Sequence, residues 1–392
     1  MQIGKSLKKN RVLVVQSIGQ FSGSLKSLEQ YVKLMKNNFE FIFLTPKGIA
    51  SKRLIKYGKV EHVVGLSKFD NSQIGFYRGL RYFLLIREIL LIIPTLYAIY
   101  KIKKKYKTIK LIHFNEITLL PTVFFFRFFY KVPFIIHCRT LFNNNNFFAK
   151  FINKFLKKNV SRIIAIDNDV KISLDKSLPT IIIRNIITLP KIIRKITSTK
   201  KNLNIGYIGS FLKYKGLSNL ISVHNNLRSE GFKVNLIIAG NYIINENPIL
   251  KFLGFTNNID KSLIDNSKYI LNLGHQDNLV NFYSKIDVLC FPSYLNALGR
   301  QVFEAGFFNI PSIVCINKNY SDSFVNKKTG LSFKHPGSLS HLKKLICYFY
   351  DNKKEIKKMG LNAKKLIIKN FDSKKNLSKM NTLYLNLIKI SF

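Results

Sequence analysis

The stretch LNIGYIGSFLKYKGLSNLI, residues 203–221, runs from an apolar segment through a glycine-containing turn into a helical pattern. The apolar segment is continuous, which is typical of a strand buried on both faces of a parallel sheet. Gly209 and Ser210 end this strand, and Lys215 and Gly216 stand where the helix begins. A strand that leads directly into a helix is the repeating unit of α/β folds. The stretch therefore predicts the first βα unit of a parallel α/β domain.

The same alternation of strand-like and helical segments extends on both sides of this stretch. The apolar runs of strand length are RVLVVQ (11–16), FEFIFLT (39–45), KLIHFNE (110–116), VPFIIHC (132–138), RIIAID (162–167), TIIIRNII (180–187), VNLIIAG (234–240), YILNLG (269–274), DVLCFPS (287–293) and PSIVCI (311–316). The alternation stops in a polar, basic stretch over residues 191–201 and then restarts. We therefore predict an α/β fold with two doubly wound, Rossmann-like parallel-sheet domains that face each other across a ligand cleft.

The length of the chain agrees with two domains, because 392 residues are more than one ordinary hydrophobic core accommodates. We place the first domain at residues 1–190 and the second at residues 191–375. A helix over residues 376–392 is expected to pack back on the first domain. The four cysteines form no C-x-x-C pair, so we expect no disulfide framework and a reducing cytosol.

The charge of the chain is strongly unbalanced. There are 64 Lys and Arg residues against 20 Asp and Glu residues, which gives a formal net charge of +44. Such a charge attracts polyanions, including nucleic acid and anionic lipid headgroups. The sequence contains no nucleic-acid-binding motif. We therefore predict an anionic membrane surface as a partner and no nucleic acid.

The longest apolar segment, residues 82–106, is interrupted by Arg87, Glu88 and Pro94. A membrane-spanning helix needs about 20 mostly apolar residues without such charges. A helix that lies in the membrane interface fits better, because lysines follow the segment. These lysines are Lys101, Lys103, Lys104, Lys105 and Lys107. The alternative is an internal helix packed on a sheet.

Two glycine-containing turns precede helices and are candidates for phosphate binding. In QSIGQFSGSLKSLEQYV, residues 16–32, Gly23 ends the turn after the first strand, and Ser22 or Ser24 can cap the helix that follows. The N–H groups at such a helix start suit an anion, although an ordinary strand-to-helix turn explains the pattern equally well. At the second turn, Lys215 adds a positive charge that suits a diphosphate, and the alternative is a solvated lysine.

The second half of the chain carries a specific series of motifs. G-S-x4-K-G after the first strand is followed by A-G, L-G-x-x-D-N-L-x-x-F-Y, D-V-L-x-x-P-S, E-A-G and N-x-x-T-G-L. This series resembles the nucleotide-sugar-binding domain of glycosyltransferase family 4, retaining enzymes with the GT-B fold. The resemblance is specific over residues 203–333 and weaker over the first 190 residues. In these residues, three segments fall where that family has its acceptor-side loops. They are the glycine turn with Gly23, IHFNE and PFIIHCRT.

The resemblance implies a role for individual residues of this sequence. Glu304 matches an acid that holds the ribose hydroxyls of the nucleotide, and Lys215 matches a lysine that contacts the donor diphosphate. Gly299 and the N–H group of Arg300 match a turn that approaches the phosphates. His137 matches a histidine that reaches toward the reacting sugar. For His137 the alternative is a histidine at the edge of the core.

Two positions depart from the family pattern. Ser210 stands where many members have an arginine that faces the diphosphate, so charge neutralisation must depend on Lys215, with Lys213 or Arg300. Asn296 stands where the first acid of E-x7-E is usual, beside the donor sugar. An amide still forms hydrogen bonds there but carries no charge. The predicted catalytic residues are His137, Lys215 and Asn296.

One acidic motif has two interpretations. DND, residues 167–169, satisfies the D-x-D pattern of metal-bound nucleotide sugars. It also lies between a strand and a helix, where Asp and Asn cap helices, and we favour the cap. The sequence has no His and Cys cluster with metal-ligand spacing. We therefore predict no catalytic metal and no cofactor other than the nucleotide-sugar donor, which is a substrate.

The resemblance implies a retaining glycosyltransferase of hexosyltransferase type. It would move a sugar from a nucleoside-diphosphate sugar to a lipid-linked or glycan acceptor in cell-surface polysaccharide biosynthesis of the capsule or O-antigen type. The first domain would serve the acceptor and the second the donor, at the cytoplasmic face of the cell membrane. The alternatives are a non-catalytic accessory protein, prompted by Asn296 and Ser210, a sugar-nucleotide epimerase of the same architecture, and a nucleic-acid-binding protein.

Overall fold

The computed structural model describes residues 9–73, 75–187, 202–242, 258–265, 267–295, 297–318, 320–334 and 338–390. The chain divides into two compact units. The first unit is Met1–Thr188 together with Phe371–Phe392, and the second is Leu189–Asn370. The predicted boundary at residues 190 and 191 lies outside the described residues.

The first unit is built on a parallel sheet. Its strands are β1 Asn10–Val15, β2 Phe39–Pro46, β3 Gly58–Val63, β4 Ile109–Phe114, β5 Phe134–Cys138, β6 Arg162–Ala165 and β7 Thr180–Ile182. They pair in the order β3-β2-β1-β4-β5-β6-β7, and every pair is parallel. The order changes direction between β1 and β4, which is the position where ligands bind in open α/β sheets.

Helices cover both faces of this sheet, and two hydrophobic cores result. The helices are α1 Gly23–Met35, α2 Ile49–Leu54, α3 Leu84–Leu90, α4 Ile92–Lys105, α5 Leu120–Phe129, α6 Phe147–Asn159 and α7 Asn168–Ser173. Within β1, Leu13 and Val15 pack into one core, and Val12 and Val14 pack into the other. Side chains of a strand alternate between faces, so an apolar run without alternation is buried on both sides.

The second unit has the same architecture. Its sheet is formed by β8 Leu203–Ile208, β9 Val234–Ala239, β10 Ile270–Asn272, β11 Val288–Phe291, β12 Ser312–Cys315 and β15 Gly330–Phe333, in the order β10-β9-β8-β11-β12-β15. A short antiparallel pair, β13 Tyr320–Ser321 and β14 Phe324–Val325, precedes β15. The helices are α8 Leu217–Ser229, α9 Ser262–Asp265, α10 Leu279–Tyr283, α11 Arg300–Phe307, α12 Leu339–Asp351 and α13 Lys353–Asn370. The prediction of two Rossmann-like parallel-sheet domains is confirmed.

The C-terminal helix, α14 Ser373–Ile390, packs on the first unit. Its apolar face lies in the core beside α1 and the first strands. The hydroxyl of Tyr384 lies 2.5 Å from Nδ1 of His113 on β4, and both side chains are buried. The side-chain oxygen of Asn376 accepts a hydrogen bond of 3.3 Å from the N–H of Arg184. The last helix thus supplies polar partners as well as apolar contacts.

We expect Tyr384→Phe to lower the free energy of unfolding by about 1–2 kcal/mol, because Nδ1 of a buried histidine loses its partner. Burial lowers the pKa of His113 to about 3, so the ring is neutral near pH 7 and cannot recover the loss by ionising. Urea denaturation measures the effect, with the exposed Tyr97→Phe as the control. Equal stability of the two variants would show that this hydrogen bond contributes little.

Candidate functional site

The first site feature is a close contact between two backbone segments at the carboxyl ends of β8 and β11. Gly216 has φ of +77°, and a Cβ on it would lie 2.1 Å from the carbonyl oxygen of Pro292. The N–H of Tyr294 donates a hydrogen bond of 3.0 Å to the carbonyl of Tyr214. Only glycine permits both this φ and this approach. The turn before α8 is thereby fixed against the loop after β11.

Lys215 lies in this turn, the 3₁₀ segment Lys213–Lys215, and is partly buried. Its Nζ is 5.3 Å from the centroid of the Tyr214 ring. Among the described residues, no carboxylate oxygen lies within 4 Å of it. Burial lowers the pKa of Lys215. An anion bound at this place would therefore stabilise the charged form of the lysine.

The end of β8 lies close to the start of α11. A Cβ on Gly209 would be 3.6 Å from Nε2 of Gln301 in the first turn of that helix. Ser210 follows Gly209, and its carbonyl accepts a hydrogen bond of 2.8 Å from the hydroxyl of Tyr207. Gly299 caps α11, and a Cβ there would lie 2.9 Å from the ring of Phe291. The structure thus brings Ser210, Lys215, Gly299 and α11 to one edge of the second sheet.

Glu304 lies on α11, is buried, and has both carboxylate oxygens engaged. Oε1 accepts a hydrogen bond of 2.7 Å from Nε of Arg300, one helical turn earlier. Oε2 accepts a hydrogen bond of 3.2 Å from the hydroxyl of Tyr283 on α10. Burial and the charge of Glu304 raise the pKa of Tyr283 well above its ordinary value, so its hydroxyl stays protonated and is the donor.

Asn296 lies outside the described residues, although its neighbours Leu295 and Ala297 are described. Its predicted place beside the donor sugar remains a prediction.

His137 lies on β5 in the first unit and is fully buried. Its ring stacks on that of His113 with a centroid distance of 5.4 Å. A guanidinium nitrogen of Arg139 lies 3.2 Å from Nδ1 of His137. Since arginine can only donate, Nδ1 accepts and the proton of the neutral ring is on Nε2. Burial, Arg139 and His113 together lower the pKa of His137 well below its ordinary value, so the ring is neutral at pH 7.

Arg139 connects several polar groups at the carboxyl ends of the central strands of the first sheet. One of its terminal nitrogens donates to Oδ1 of Asn115 at 2.7 Å, and the other donates to Oδ1 of Asn185 at 3.2 Å. Asn115 in turn donates a hydrogen bond of 2.6 Å to Gln16 at the end of β1. This network fixes the His137 ring in one orientation and tautomer.

Gly23 is the first residue of α1, and Ser22 caps the helix by accepting from the N–H of Leu25 at 3.2 Å. The cap predicted for Ser22 is confirmed. Space beside Gly23 is open, because a Cβ on it would meet no atom within 4 Å. The carboxylate of Glu116 accepts a hydrogen bond of 2.9 Å from the hydroxyl of Ser24. A protein carboxylate therefore already lies at the helix start predicted to suit an anion.

The DND motif forms a helix cap. Oδ1 of Asp167 accepts a hydrogen bond of 2.7 Å from the N–H of Val170 at the start of α7. The capping interpretation is confirmed. In the part of the chain that the structure describes, no group of three His, Cys, Asp or Glu side chains is arranged to hold a metal ion.

Sequence reasoning missed two site residues. Arg139 stands two positions after His137, and this spacing places both on one side of a strand, so the signal was present. Tyr283 lies 21 residues before Glu304. No local pattern links these two positions, because α10 and α11 belong to different βα units.

Comparison with known proteins agrees with this fold. Residues 190–366 match the model of the family described as glycosyl transferases group 1. This match lies within the second unit, and the fold of the whole chain is that of solved GT-B glycosyltransferase structures. The resemblance predicted from the sequence is thus confirmed at this level, and family 4 in particular remains a prediction.

Individual relatives resemble the chain to different extents. The capsular polysaccharide biosynthesis glycosyltransferase CapM of Staphylococcus aureus is 29% identical over 133 residues. This alignment covers 33% of the chain and only 32% of CapM. A glycosyltransferase structure from Rickettsia africae has a TM-score of 0.72 at 18% identity, with 98% of this chain and 100% of that chain covered. Anabaena HepE in complex with UDP-glucose has a TM-score of 0.69 at 15% identity, with 96% and 99% covered. At such identities the structures show the fold alone.

We expect Glu304→Gln to weaken the binding of UDP by about 1–3 kcal/mol, because a charged acceptor is replaced by an amide. Isothermal titration calorimetry measures the affinity. Because Glu304 is buried and bonded to Arg300, thermal unfolding of the free protein must be measured beside it. Glu355→Gln is the control, since that glutamate pairs with the exposed Lys358 on α13, away from the site. Unchanged UDP affinity in a folded Glu304→Gln variant would contradict the ribose-binding role.

Proposed function

We propose that the protein is a retaining glycosyltransferase that moves a hexosyl group from a nucleoside-diphosphate sugar to a lipid-linked or glycan acceptor in cell-surface polysaccharide synthesis. One observation carries the proposal most directly. The partly buried Lys215 has no carboxylate within 4 Å among the described residues and lies at the strand-order switch of the second sheet. The UDP-glucose of HepE supports a donor of this class, and the name of CapM supports the pathway.

In the proposed reaction, Lys215 neutralises the diphosphate. Negative charge develops on the departing phosphate oxygen as the bond to the sugar breaks. The ammonium group of Lys215 at the start of α8 would stabilise this negative charge together with the N–H groups of the helix. Because it is fixed before the reaction, little reorganisation is needed in the transition state. This proposal requires no metal ion.

Glu304 would bind the donor without reacting covalently. Glu304 would accept hydrogen bonds from the ribose hydroxyls, while Tyr283 and Arg300 hold its position. Arg139 directs the proton of His137 to Nε2, which is buried and has no protein partner among the described residues. The contact of His137 with the reacting sugar remains a prediction. With no nucleophile assigned, the departing phosphate accepts the proton of the acceptor hydroxyl on the same face of the sugar, which retains its configuration.

We also propose that the first unit docks on the cytoplasmic face of an anionic membrane. The helical stretch Gly79–Lys105 is long and apolar enough to cross a membrane, and 22% of its most apolar window is buried. Two side chains in it bind the loop after β3. Oε2 of Glu88 accepts a hydrogen bond of 2.8 Å from the N–H of Lys68. The hydroxyl of Thr95 accepts a hydrogen bond of 3.0 Å from the N–H of Ser67. These bonds support a helix that lies along the unit with its apolar side in the interface.

Four of the five lysines predicted to contact the membrane are available for lipid headgroups. Lys105 instead donates to Oε1 of Glu61 at 2.7 Å, and Tyr106 donates to the same oxygen at 2.7 Å. Burial raises the pKa of Glu61, but these two hydrogen bonds outweigh burial and hold the pKa below its ordinary value. A test of membrane binding must therefore leave Lys105 unchanged.

We expect Lys215→Ala to lower the kcat/KM for donor turnover about 10²-fold, the scale seen when one donor to a developing oxyanion is removed. The assay follows release of the nucleoside diphosphate from a panel of nucleoside-diphosphate sugars. A bacterial lipid extract serves as the acceptor, and a chelator is present throughout.

Lys233→Ala is the matched control, because that exposed lysine precedes β9 at the opposite end of the sheet. A rate within about twofold of wild type in Lys215→Ala would exclude Lys215 as the main cation. Tight UDP binding by a wild-type protein that turns over no donor would favour the accessory protein. Loss of wild-type activity in chelator would contradict a metal-free reaction.

We expect the protein to bind vesicles of anionic phospholipid and to bind neutral vesicles weakly, with affinity that falls as salt rises. Each lysine contributes about 1 kcal/mol near an anionic surface, so changing Lys101, Lys103, Lys104 and Lys107 to Gln should remove most of the binding. Sedimentation with vesicles measures it. Changing Lys354, Lys357, Lys365 and Lys369 of α13 to Gln removes the same charge from the second unit. Equal sedimentation of both variants would show that the α4 lysines are not the docking surface.

A further inference from the structure

A pocket on the first unit opens between α5 and α6 and is lined by carbon atoms. Five of its side chains are phenylalanines, namely Phe69, Phe124, Phe148, Phe151 and Phe155, and the others are aliphatic residues of the same two helices. Its volume is about 270 Å³. No hydrogen-bonding group lines it, so the part of a ligand that enters must itself be apolar.

The pocket continues into exposed aromatic surface. Phe151 is 61% exposed, although it lines the pocket. Its ring lies 5.4 Å from that of Phe147, which is 77% exposed. On the α5 side, the ring of Phe124 lies 4.8 Å from that of the exposed Phe128. Exposed rings that cluster in this way mark an interaction surface, whereas single exposed apolar residues are ordinary.

Lysines follow these rings along α6 at a constant spacing. Lys150, Lys154 and Lys158 each stand three residues after a phenylalanine, at positions 147, 151 and 155. Residues three apart are neighbours on a helix surface. All three lysines are exposed, and none has a carboxylate oxygen within 4 Å among the residues that the structure describes. A row of ammonium groups therefore borders the apolar surface.

The two features together specify the ligand. A water molecule occupies about 30 Å³ of liquid, and a methylene group has a similar size, so the 270 Å³ pocket has room for about nine methylene groups. The lysines add a requirement for negative charge beside this chain. An anionic lipid combines a hydrocarbon chain with a phosphate, and a folded nucleic acid offers no such chain.

We propose that this pocket binds one hydrocarbon chain of an anionic membrane lipid, with the lipid phosphate beside the lysines of α6. The inference deepens the proposed function, on which it rests, because it gives the first unit a site for an individual lipid in addition to attraction to a charged surface. The bound lipid would hold this unit at the membrane, where a lipid-linked acceptor is concentrated.

Tryptophan fluorescence tests the pocket directly, because the chain contains no tryptophan. Phe151→Trp places a reporter in the pocket, and Phe147→Trp places one on the same helix outside it. Dodecyl phosphate, kept below its critical micelle concentration, is the probe. We expect a saturable blue shift with one site for the reporter at position 151, and no saturable change at position 147. A shift that never saturates, or an equal shift of both reporters, would overturn the pocket.

Two comparisons test the role of charge with the same reporter. Dodecanol, which has the chain without the phosphate, should bind at least about tenfold more weakly. Changing Lys150, Lys154 and Lys158 to Gln should weaken the binding of dodecyl phosphate by at least about tenfold. The same change at Lys354, Lys357 and Lys365 on α13 should alter the binding of dodecyl phosphate less than about twofold, since these lysines belong to the other unit. Equal effects of the two triple variants would overturn the assignment of the phosphate to α6.

A measurement of UDP binding separates this inference from the proposed function. UDP affinity is determined by calorimetry on the wild type and on Phe151→Asn. If UDP binds both proteins equally while dodecyl phosphate binds neither, the lipid site is wrong and the proposed function stands. If dodecyl phosphate binds the wild type and UDP does not, the proposed donor is wrong and the lipid site stands. Far-ultraviolet circular dichroism confirms that each variant is folded.

Discussion

The contact between Gly216 and the carbonyl of Pro292 determines how the site of the second unit is assembled. A Cβ on Gly216 would lie 2.1 Å from that oxygen, so any other residue would push the turn before α8 away from the end of β11. The hydrogen bond from Tyr294 to Tyr214 forms only while the two segments remain this close. Lys215 immediately precedes this glycine, so the backbone constraint also fixes the point from which the lysine side chain extends. The geometry of one glycine thus positions the charge on which the proposed chemistry depends.

Much of the fold is predictable because strands buried on both faces have a distinctive sequence. The apolar runs identified along the chain all correspond to strands of the two sheets, and the restart after residues 191–201 indicates the second sheet. Two strands of these parallel sheets were missed, β3 and β15, and both lie at sheet edges. The short antiparallel pair β13 and β14 was missed as well. An edge strand pairs on one side only and tolerates charge, so β3 includes Lys59, Glu61 and His62 among its six residues. Such a strand lacks the apolar run by which the others are recognised.

The site was predictable where local spacing determines structure and unpredictable where distant elements meet. Lys215 and Gly216 are adjacent to a strand end, so their location follows from the βα unit. Gly299 caps α11, and a Cβ there would meet both the side chain of Gln301 in the same helix and the ring of Phe291 on β11. The second of these contacts depends on tertiary packing. The hydrogen bond between Tyr283 and Glu304 joins two helices, and the bonds of Arg139 join three strand ends or loops. These contacts depend on the packing of complete βα units, which no short motif encodes.

Acidic residues are scarce in this chain, and this scarcity gives Lys215 its significance. Among the residues that the structure describes, four glutamates are buried, and each is bonded to a cation. The pairs are Glu29 with Arg53, Glu61 with Lys105, Glu88 with Arg87, and Glu304 with Arg300. This distribution is expected physically, because a buried carboxylate without a partner is strongly destabilising.

With 64 basic residues against 20 acidic ones, most lysines must lack an acidic partner, and an exposed lysine is stabilised by water instead. Lys215 differs from these because burial already lowers its pKa, so water only partly solvates its charge. Removing the charge of Lys215 from water costs free energy, and no carboxylate among the described residues compensates for this cost. A bound phosphate would compensate for this cost, since an opposite charge favours the protonated amine. The excess of cations over acidic residues thus leaves the charge of the partly buried Lys215 for a ligand to balance.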